Sequence, residues 1–236
     1  VMFQMGKKPM TEGLNILGAH IDSPRLDVKQ NPLYEDGGMA YLDTHYYGGV
    51  KKYQWVTLPL AIHGVVVKKD GTTVELNEND DDPVFFVSDL LIHLAGEQLK
   101  KDAARVIEGE ALDLIVGSRP ISIKGDAENK TDEKEEKKEK AKEAVKAGIL
   151  DILKKTYDME EEDFLSAELE IVPAGKAREA GFARSMILAY GQDDRVCAFT
   201  SMRAMLDMKQ TDRTLCCILV DKEEIGSVGA TGMQSR

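Results

Sequence analysis

An apolar run of six residues, Leu215–Val220, ends directly before two adjacent carboxylates, Glu223 and Glu224. A short run without charge is typical of a β-strand buried on both faces of a sheet. Charged pairs are costly inside a sheet but common just past its edge, where α/β proteins collect their functional side chains. Because side chains alternate along an extended chain, we predict that the two glutamates point in different directions, one to bind a metal and one to handle a proton. The competing interpretation is a solvated strand end.

Composition narrows the class of protein. The chain of 236 residues is 42% hydrophobic and 31% charged, which is ordinary for a globular protein with a real core. Its formal net charge of -11 argues against nucleic acid or an anionic membrane as a partner. Its three cysteines show no Cys-x-x-Cys spacing, so we expect neither a disulfide framework nor a thiolate zinc site. With no signal peptide or membrane-spanning stretch in the sequence, we predict a cytoplasmic protein.

The order of patterns along the chain predicts an α/β domain that is interrupted by a β-rich one. Residues 14–22 are expected to form a buried strand that ends at Ser23-Pro24, because proline cannot donate a hydrogen bond to a sheet. Residues 46–67 change to β-branched and aromatic side chains with glycine and proline breaks, which favours a mainly antiparallel unit. We therefore assign residues 1–30 and 166–236 to the α/β domain and residues 31–165 to the insertion.

Local patterns predict further elements. Asp70-Gly71 lies between two β-branched runs, which indicates a hairpin turn. Apolar residues recur at helical spacing in 90–99, and a second helix is predicted for 192–208. Residues 124–146 hold eight lysines against eight acids and almost no large apolar side chains. This composition predicts a solvated, flexible segment and not a core element.

Polar clusters near these segments carry the functional argument. His20 and Asp22 are two residues apart, so on a strand they share one face, and the carboxylate can orient the imidazole of a metal ligand. Asp193 opens the second predicted helix, and its two carboxylate oxygens are able to bridge two cations. Imidazole and oxygen ligands without thiolates suit catalytic zinc, or equally cobalt or manganese. The competing interpretations are a structural histidine and a helix cap at Asp193-Asp194.

Taken in order, three motifs resemble the M18 family of metalloaminopeptidases, the aspartyl aminopeptidase family. The motifs are Ala19–Pro24, Gln192–Arg195 and Asp221–Ser227. They are similar, more distantly, to those of the M42 glutamyl aminopeptidases. The segments around Tyr47-Gly48-Gly49 and 88–94 also resemble this family, so the resemblance covers nearly the whole chain apart from the charged segment.

The resemblance implies a zinc-peptidase α/β/α catalytic domain that is interrupted by a β-rich dimerisation or oligomerisation domain. It also implies two zinc ions per active site. His20 is expected to bind one zinc, Asp193 to bridge the two, and Glu224 to bind the other. Glu223 is expected to be the general base, and Asp22 the acid that orients the histidine.

Other family features carry further expectations. A cis peptide bond often follows the bridging acid, which is Asp193–Asp194 here. The remaining ligands, an acid and a histidine, lie downstream of the Glu-Glu motif in the family, and this chain stops before either. Since it also starts at Val1 and not at a methionine, we expect a fragment of a longer polypeptide, cut at both ends. Some members carry a histidine at the position of Asp89, so the preference for acidic substrates stays open.

The function that this resemblance implies is hydrolysis of the N-terminal residue of peptides by a zinc aminopeptidase. The resemblance also implies a homo-oligomer, with dimers assembled into a dodecamer. Two alternatives stay open: a non-catalytic assembly or binding subunit with an incomplete metal site, and an M42-like glutamyl aminopeptidase.

Overall fold

The computed structural model describes residues 1–79, 81–120 and 143–235. In chain order, its strands are β1 (Met2–Gln4), β2 (Asn15–His20), β3 (Arg25–Asp36), β4 (Met39–Tyr47), β5 (Leu60–Val67), β6 (Thr73–Leu76), β7 (Leu114–Gly117), β8 (Ala167–Pro173), β9 (Arg178–Ala180), β10 (Met186–Leu188) and β11 (Leu215–Val220). The α-helices are α1 (Ala144–Tyr157) and α2 (Gln192–Asp207). Short 3-10 helices cover Met10–Glu12, Lys52–Gln54, Gln98–Lys100, Gly109–Ala111, Glu161–Ser166 and Glu223–Ile225.

Contacts divide the chain into two units. The first unit comprises Val1–Pro24, Tyr47–Gly49 and Lys176–Arg236, and the second comprises Arg25–Tyr46 and Val50–Gly175. The boundary predicted at residue 30 therefore falls inside β3, and the one predicted at residue 165 falls inside a 3-10 helix. Both shift because β3 and β8 pair with each other in one sheet and belong to the same unit.

The first unit is built on a three-stranded sheet with the order β1-β11-β2. The central strand β11 pairs antiparallel with β1 and parallel with β2. Its apolar run begins with three buried residues, as expected for a strand covered on both faces. Helix α2 contacts both β2 and β11, and Met205, Leu215 and Cys217 form a buried cluster. The strand predicted at 215–220 is thus confirmed, and α2 lies within the range predicted for a helix at 192–208. A strand also forms within 14–22, but it ends at His20 and only Ala19 in it is buried, so the predicted burial of this strand is wrong.

The parallel pairing sets the position of the functional residues. His20 at the end of β2 lies opposite Val220 at the end of β11. The carboxyl ends of both strands therefore reach the same edge of the sheet, and the residues that follow them meet there. In the same unit, β9 and β10 form a separate antiparallel pair.

The second unit contains a six-stranded sheet with the order β6-β5-β8-β3-β4-β7. Strand β5 pairs antiparallel with β6 and β8, β3 does so with β8, and β4 does so with β7. The hairpin predicted at Asp70-Gly71 is confirmed by the pairing of Val67 with Thr73. The core of the second unit includes aliphatic residues without solvent exposure: Leu26, Leu60, Val66, Leu112, Leu114 and Ile171.

Helix α1 is held to this unit at its first turn. The Glu35 carboxylate accepts the amide hydrogens of Val145 and Lys146 at 2.8 and 2.9 Å, which satisfies two amides that the helix cannot pair internally. Of the charged segment predicted at 124–146, residues 124–142 lie outside the described residues, and 144–146 already belong to α1.

The helix predicted at 90–99 is wrong. This stretch consists of turns and leads into the 3-10 helix Gln98–Lys100, and its large apolar side chains are mostly exposed. Helical spacing of apolar residues stabilises a helix only when they bury against a partner, and here they do not. Within the described ranges, no helix is both long and apolar enough to cross a membrane.

Candidate metal centre

The chain turns sharply after β11. Lys222 has a left-handed backbone with φ of 68°, and Glu223–Ile225 then form a 3-10 helix. The predicted strand-like alternation of Glu223 and Glu224 is therefore wrong, because the pair lies in a helical turn beyond the strand. Each of the two glutamates instead offers a carboxylate oxygen to one group with His20, whose ligand atoms all lie within 4.8 Å of one another.

The orientation of His20 follows from its hydrogen bonds. Its Nδ1 lies 3.0 Å from the backbone carbonyl of Asp22, and a carbonyl can only accept, so Nδ1 carries the proton. Its Nε2 faces Asp193 Oδ1 at 3.2 Å and Glu223 Oε2 at 3.8 Å. Two chemical states satisfy this geometry: a doubly protonated imidazole paired with the acids, or a neutral imidazole that shares a cation with them.

The spacing fits a shared cation. Donor atoms about 2.0–2.1 Å from a tetrahedral zinc are about 3.3 Å apart, which matches the separation of His20 Nε2 and Asp193 Oδ1. A neutral imidazole with Nδ1 on a carbonyl presents the Nε2 lone pair that metal binding needs. The residues present therefore fit a divalent metal ion.

Asp22 is a buried residue that holds the backbone of this group in place. Its side chain is only 1% exposed, and its Oδ1 and Oδ2 accept the backbone N–H groups of Glu223 and Glu224 at 3.2 and 3.1 Å. Tyr47 Oη donates to Oδ2 at 2.8 Å. Burial acts to raise the pKa of Asp22, but these hydrogen bonds outweigh it and hold that pKa below its ordinary value. Asp22 is thus a buried, ionised acceptor.

The predicted relation between Asp22 and His20 is altered in one respect. Strand β2 ends at His20, so Asp22 lies past the strand and does not share a strand face with the histidine. The ring nitrogen Nδ1 is 3.4 Å from the Asp22 carboxylate but 3.0 Å from its backbone carbonyl. The carboxylate therefore serves mainly the Glu223–Glu224 turn, and the same residue orients the imidazole through its backbone.

Asp193 approaches from the start of α2 with a side chain that is 88% exposed. The peptide bond between Asp193 and Asp194 is cis, as expected from the family resemblance. Both residues have non-helical backbone angles, so regular helix begins only after them. Ser23 Oγ donates to the Asp193 carbonyl at 3.1 Å, which fixes this segment to the end of β2.

The electrostatics of the group are unusual for a protein surface. Burial raises the pKa of the Glu224 carboxyl, and neighbouring acids add to this effect against the charge of His20. Burial lowers the pKa of His20, but the Asp22 carbonyl and the nearby carboxylates, those of Glu223 first, outweigh it and raise this pKa. Within the described part of the chain, no lysine or arginine forms an ion pair with Asp193 or Glu223.

All five sequence-predicted site residues thus meet at one edge of the first unit: His20, Asp22, Asp193, Glu223 and Glu224. Sequence reasoning missed Tyr47 and Ser23 as supporting residues. Tyr47 precedes a Gly-Gly pair, but this signal does not reveal that the chain returns to the first unit for only three residues, Tyr47–Gly49. Ser23 appeared only as a strand terminator.

An imidazole and several carboxylates lie at the carboxyl ends of the parallel strands β2 and β11. This arrangement is typical of α/β proteins, which collect their functional side chains at that edge of the sheet. The family follows from sequence comparison. The profile of the aminopeptidase I zinc metalloproteases (M18) matches residues 1–236, and the chain belongs to this family.

Known relatives agree in sequence and in structure. A probable M18 family aminopeptidase 1 from Clostridium acetobutylicum is 62% identical over 238 residues, which cover 100% of this chain and 48% of the relative. The crystal structure of aminopeptidase I from the same organism has a TM-score of 0.85 at 62% identity, covering 98% of this chain and 48% of that one. The crystal structure of the M18 aminopeptidase of Thermotoga maritima has a TM-score of 0.84 at 48% identity. The match covers 96% of this chain and 47% of that one.

These matches establish the fold class as predicted: the chain has the α/β fold of M18 zinc peptidases. The chain spans about half the length of the relatives it matches. The activity, substrates and partners of the whole protein are therefore proposals.

Proposed function

We propose that this chain supplies the first part of the active site of a metal-dependent aminopeptidase, which hydrolyses the N-terminal residue of peptides at a two-zinc centre. The observation that carries the proposal is the convergence of His20, Glu223 and Glu224 within 4.8 Å, with Asp193 against the histidine. Carboxylates that lie this close repel one another unless a cation joins them. A divalent metal ion satisfies that requirement.

The donor types support a role for each residue. His20 and Glu224 would each bind a metal ion, since the imidazole directs Nε2 toward the acids and the glutamate is half-buried. Asp193 would bridge the two ions through its exposed carboxylate. Imidazole and carboxylate oxygens suit zinc, with cobalt or manganese as functional substitutes. When bound, zinc polarises the scissile carbonyl and lowers the pKa of the attacking water.

Glu223 would act as the general base. Its side chain is 53% exposed, and Oε2 lies 3.8 Å from His20 Nε2, so the carboxylate borders the metal position while it stays open to water. In the proposed reaction, Glu223 takes a proton from the attacking water and returns it to the leaving amine. General bases of this kind contribute typically about 10²–10⁴-fold to the rate.

The excess of acids also explains cleavage at the amino terminus. A substrate's free α-ammonium group is a cation, and the acids around the centre attract it, whereas an internal peptide bond offers no such charge. We further propose that the protein works as a homo-oligomer in the cytoplasm, which size measurement on the purified protein and cell fractionation test directly.

The test is peptidase activity of the intact protein after chelation and metal add-back. We expect activity on peptides with a free amino terminus to disappear on chelation and return with zinc, cobalt or manganese. Acetylating the amino terminus of the same peptides should abolish hydrolysis. Zinc binding without any hydrolysis would instead favour the non-catalytic subunit, and activity unaffected by chelation would refute the metal mechanism.

The base assignment has its own test. Glu223→Gln removes the proton acceptor but keeps the shape of the side chain, so we expect a loss of about 10²–10⁴-fold in kcat with zinc content largely unchanged. Glu12→Gln is the matched control, because Glu12 is an exposed acid that pairs with a surface lysine, Lys8. A Glu223→Gln protein with near-normal kcat would show that another group is the base.

A further inference from the structure

Tyr47 occupies a distinctive place in the chain. It ends β4, and with Gly48 and Gly49 it forms the three-residue stretch that belongs to the first unit. Its side chain is buried, with 6% of the residue exposed, whereas Tyr46 beside it is exposed. A buried tyrosine hydroxyl needs a hydrogen-bond partner, and the identity of that partner indicates the role of the residue.

The partner is Asp22. Tyr47 Oη donates to Asp22 Oδ2 at 2.8 Å, and the same oxygen accepts the Glu224 amide at 3.1 Å. The other oxygen accepts the Glu223 amide at 3.2 Å. The tyrosine therefore fixes the rotation of a carboxylate whose two oxygens hold the backbone of the Glu-Glu turn.

Two further contacts tie this segment to the same turn. The Lys222 ammonium lies 5.6 Å from the centroid of the Tyr47 ring, in reach of a cation–π interaction. At Gly48, which has a φ of +74°, a Cβ atom would come within 3.0 Å of Glu224 Cβ and 3.3 Å of its Oε2. The backbone after Tyr47 thus lies directly against one of the proposed ligands.

We propose that Tyr47 is a positioning residue of the metal centre. Through Asp22 it orders the Glu223–Glu224 turn and, by way of the Asp22 backbone, the His20 imidazole, so that the donor atoms are set at metal-binding distances before the ion arrives. This inference rests on the proposed metal site, but it concerns a residue that touches neither metal nor substrate. Partners that orient ligands in this way typically change metal affinity by about 10–100-fold when removed.

The test compares Tyr47→Phe with Tyr46→Phe in the intact protein. The first variant keeps the ring and its contact with Lys222 but loses the hydroxyl. The second removes a hydroxyl from the exposed neighbouring tyrosine. Zinc affinity is measured by chelator competition, and the thermal midpoint is measured on metal-free protein. We expect about 10-fold weaker zinc binding in Tyr47→Phe, no change in Tyr46→Phe, and similar metal-free midpoints for both.

A double-mutant cycle with Asp22→Asn separates positioning from general packing. If Tyr47 acts through the Asp22 carboxylate, adding Tyr47→Phe to Asp22→Asn should weaken zinc binding no further, whereas independent structural effects would add. The visible absorption spectrum of cobalt-substituted Tyr47→Phe should also shift, because the coordination geometry relaxes.

Each outcome decides a separate question. Wild-type protein that binds no zinc would refute the proposed function itself. Normal zinc binding by wild type and by Tyr47→Phe would refute only the positioning role. Additive effects in the cycle, or a Tyr47→Phe protein that fails to fold or has a lowered metal-free midpoint, would show that Tyr47 serves the fold and would also overturn the inference.

Discussion

The acids of the second unit and those of the candidate metal centre are treated in opposite ways. In the six-stranded sheet, the Lys29 ammonium lies 2.8 Å from Asp43 and 3.3 Å from Glu110, so one cation serves two carboxylates. At the edge of the three-stranded sheet, Asp193 and Glu223 share only His20 among the described residues. Lys29 thus compensates two acids of the second unit, whereas the proposed metal ion would compensate the acids of the site.

This difference bears on how the site is stabilised. Mutual repulsion of uncompensated carboxylates costs free energy in the metal-free protein. A buried anchor of Asp22 and Tyr47 offsets that cost by fixing the turn from below. If this comparison holds, substitutions at the metal-facing side should change zinc binding, and substitutions in the second unit should change stability alone.

The largest effect is expected for His20→Ala, which removes a proposed ligand. Zinc affinity should fall by at least about 100-fold, more than for loss of an orienting partner. Zinc at a hundredfold excess over its Kd should stabilise the wild-type protein by about 2.7 kcal/mol, and this increment should vanish in the variant. Thermal unfolding with and without zinc measures it.

His45→Ala is the matched control, because His45 is exposed and belongs to the second unit. It should keep the full zinc-dependent increase in the thermal midpoint. If both variants respond to zinc like the wild type, the ion binds elsewhere and the contrast between the two sets of acids loses its meaning.

An intermediate effect is expected for Gly48→Ala. The left-handed backbone costs a residue with a side chain about 1–3 kcal/mol, and the added methyl would press on Glu224. Denaturant unfolding should show the loss of stability, and chelator competition should show weaker zinc binding. Gly49→Ala is the comparison, since a Cβ there meets no atom within 4 Å. Equal behaviour of the two variants would contradict the close approach at Gly48.

The smallest effect is expected in the second unit. Tyr34 Oη donates to Asp113 at 2.6 Å, and Tyr34→Phe should lower the free energy of unfolding by about 1 kcal/mol while leaving zinc affinity unchanged. Tyr41→Phe is the control, because its ring stacks on Tyr34 and, among the described residues, its hydroxyl has only the Met39 sulfur at 4.0 Å as a partner. A change in zinc affinity in Tyr34→Phe would break the proposed separation of roles.

Much of the first unit could be predicted from the sequence because its signals are local. The apolar run before Asp221 identifies β11, and the segment before Ser23 identifies β2, since short uncharged runs bounded by polar residues or proline are typical of strands. The burial of β2 was not predictable in this way, because only Ala19 in it is buried. Asp70-Gly71 between two β-branched runs identifies the hairpin, because this dipeptide favours the tight turn that joins antiparallel strands. The motifs following β2 and β11 also identify the residues that meet at the sheet edge.

The errors arise where tertiary structure overrides a local pattern. Residues 90–99 have helical spacing but no surface against which to bury it, so they form turns. Glu223 and Glu224 follow a strand, yet the left-handed Lys222 converts the chain to a 3-10 helix and brings both carboxylates to one group. Neither outcome is encoded in the spacing of neighbouring residues.

The residues that meet at the edge of the three-stranded sheet could be chosen from the sequence alone, because side-chain type and the ends of strands are local properties. The sequence also determined the family, through motifs that survive in order along the chain. The hydrogen bonds of Asp22 could not be read from the sequence. They involve Tyr47 and the amides of Glu223 and Glu224, which are distant from Asp22 in sequence and come together only when the sheet forms. The Glu-Glu pair is therefore specified by the sequence, but its geometry is set by a buried carboxylate that long-range contacts hold in place.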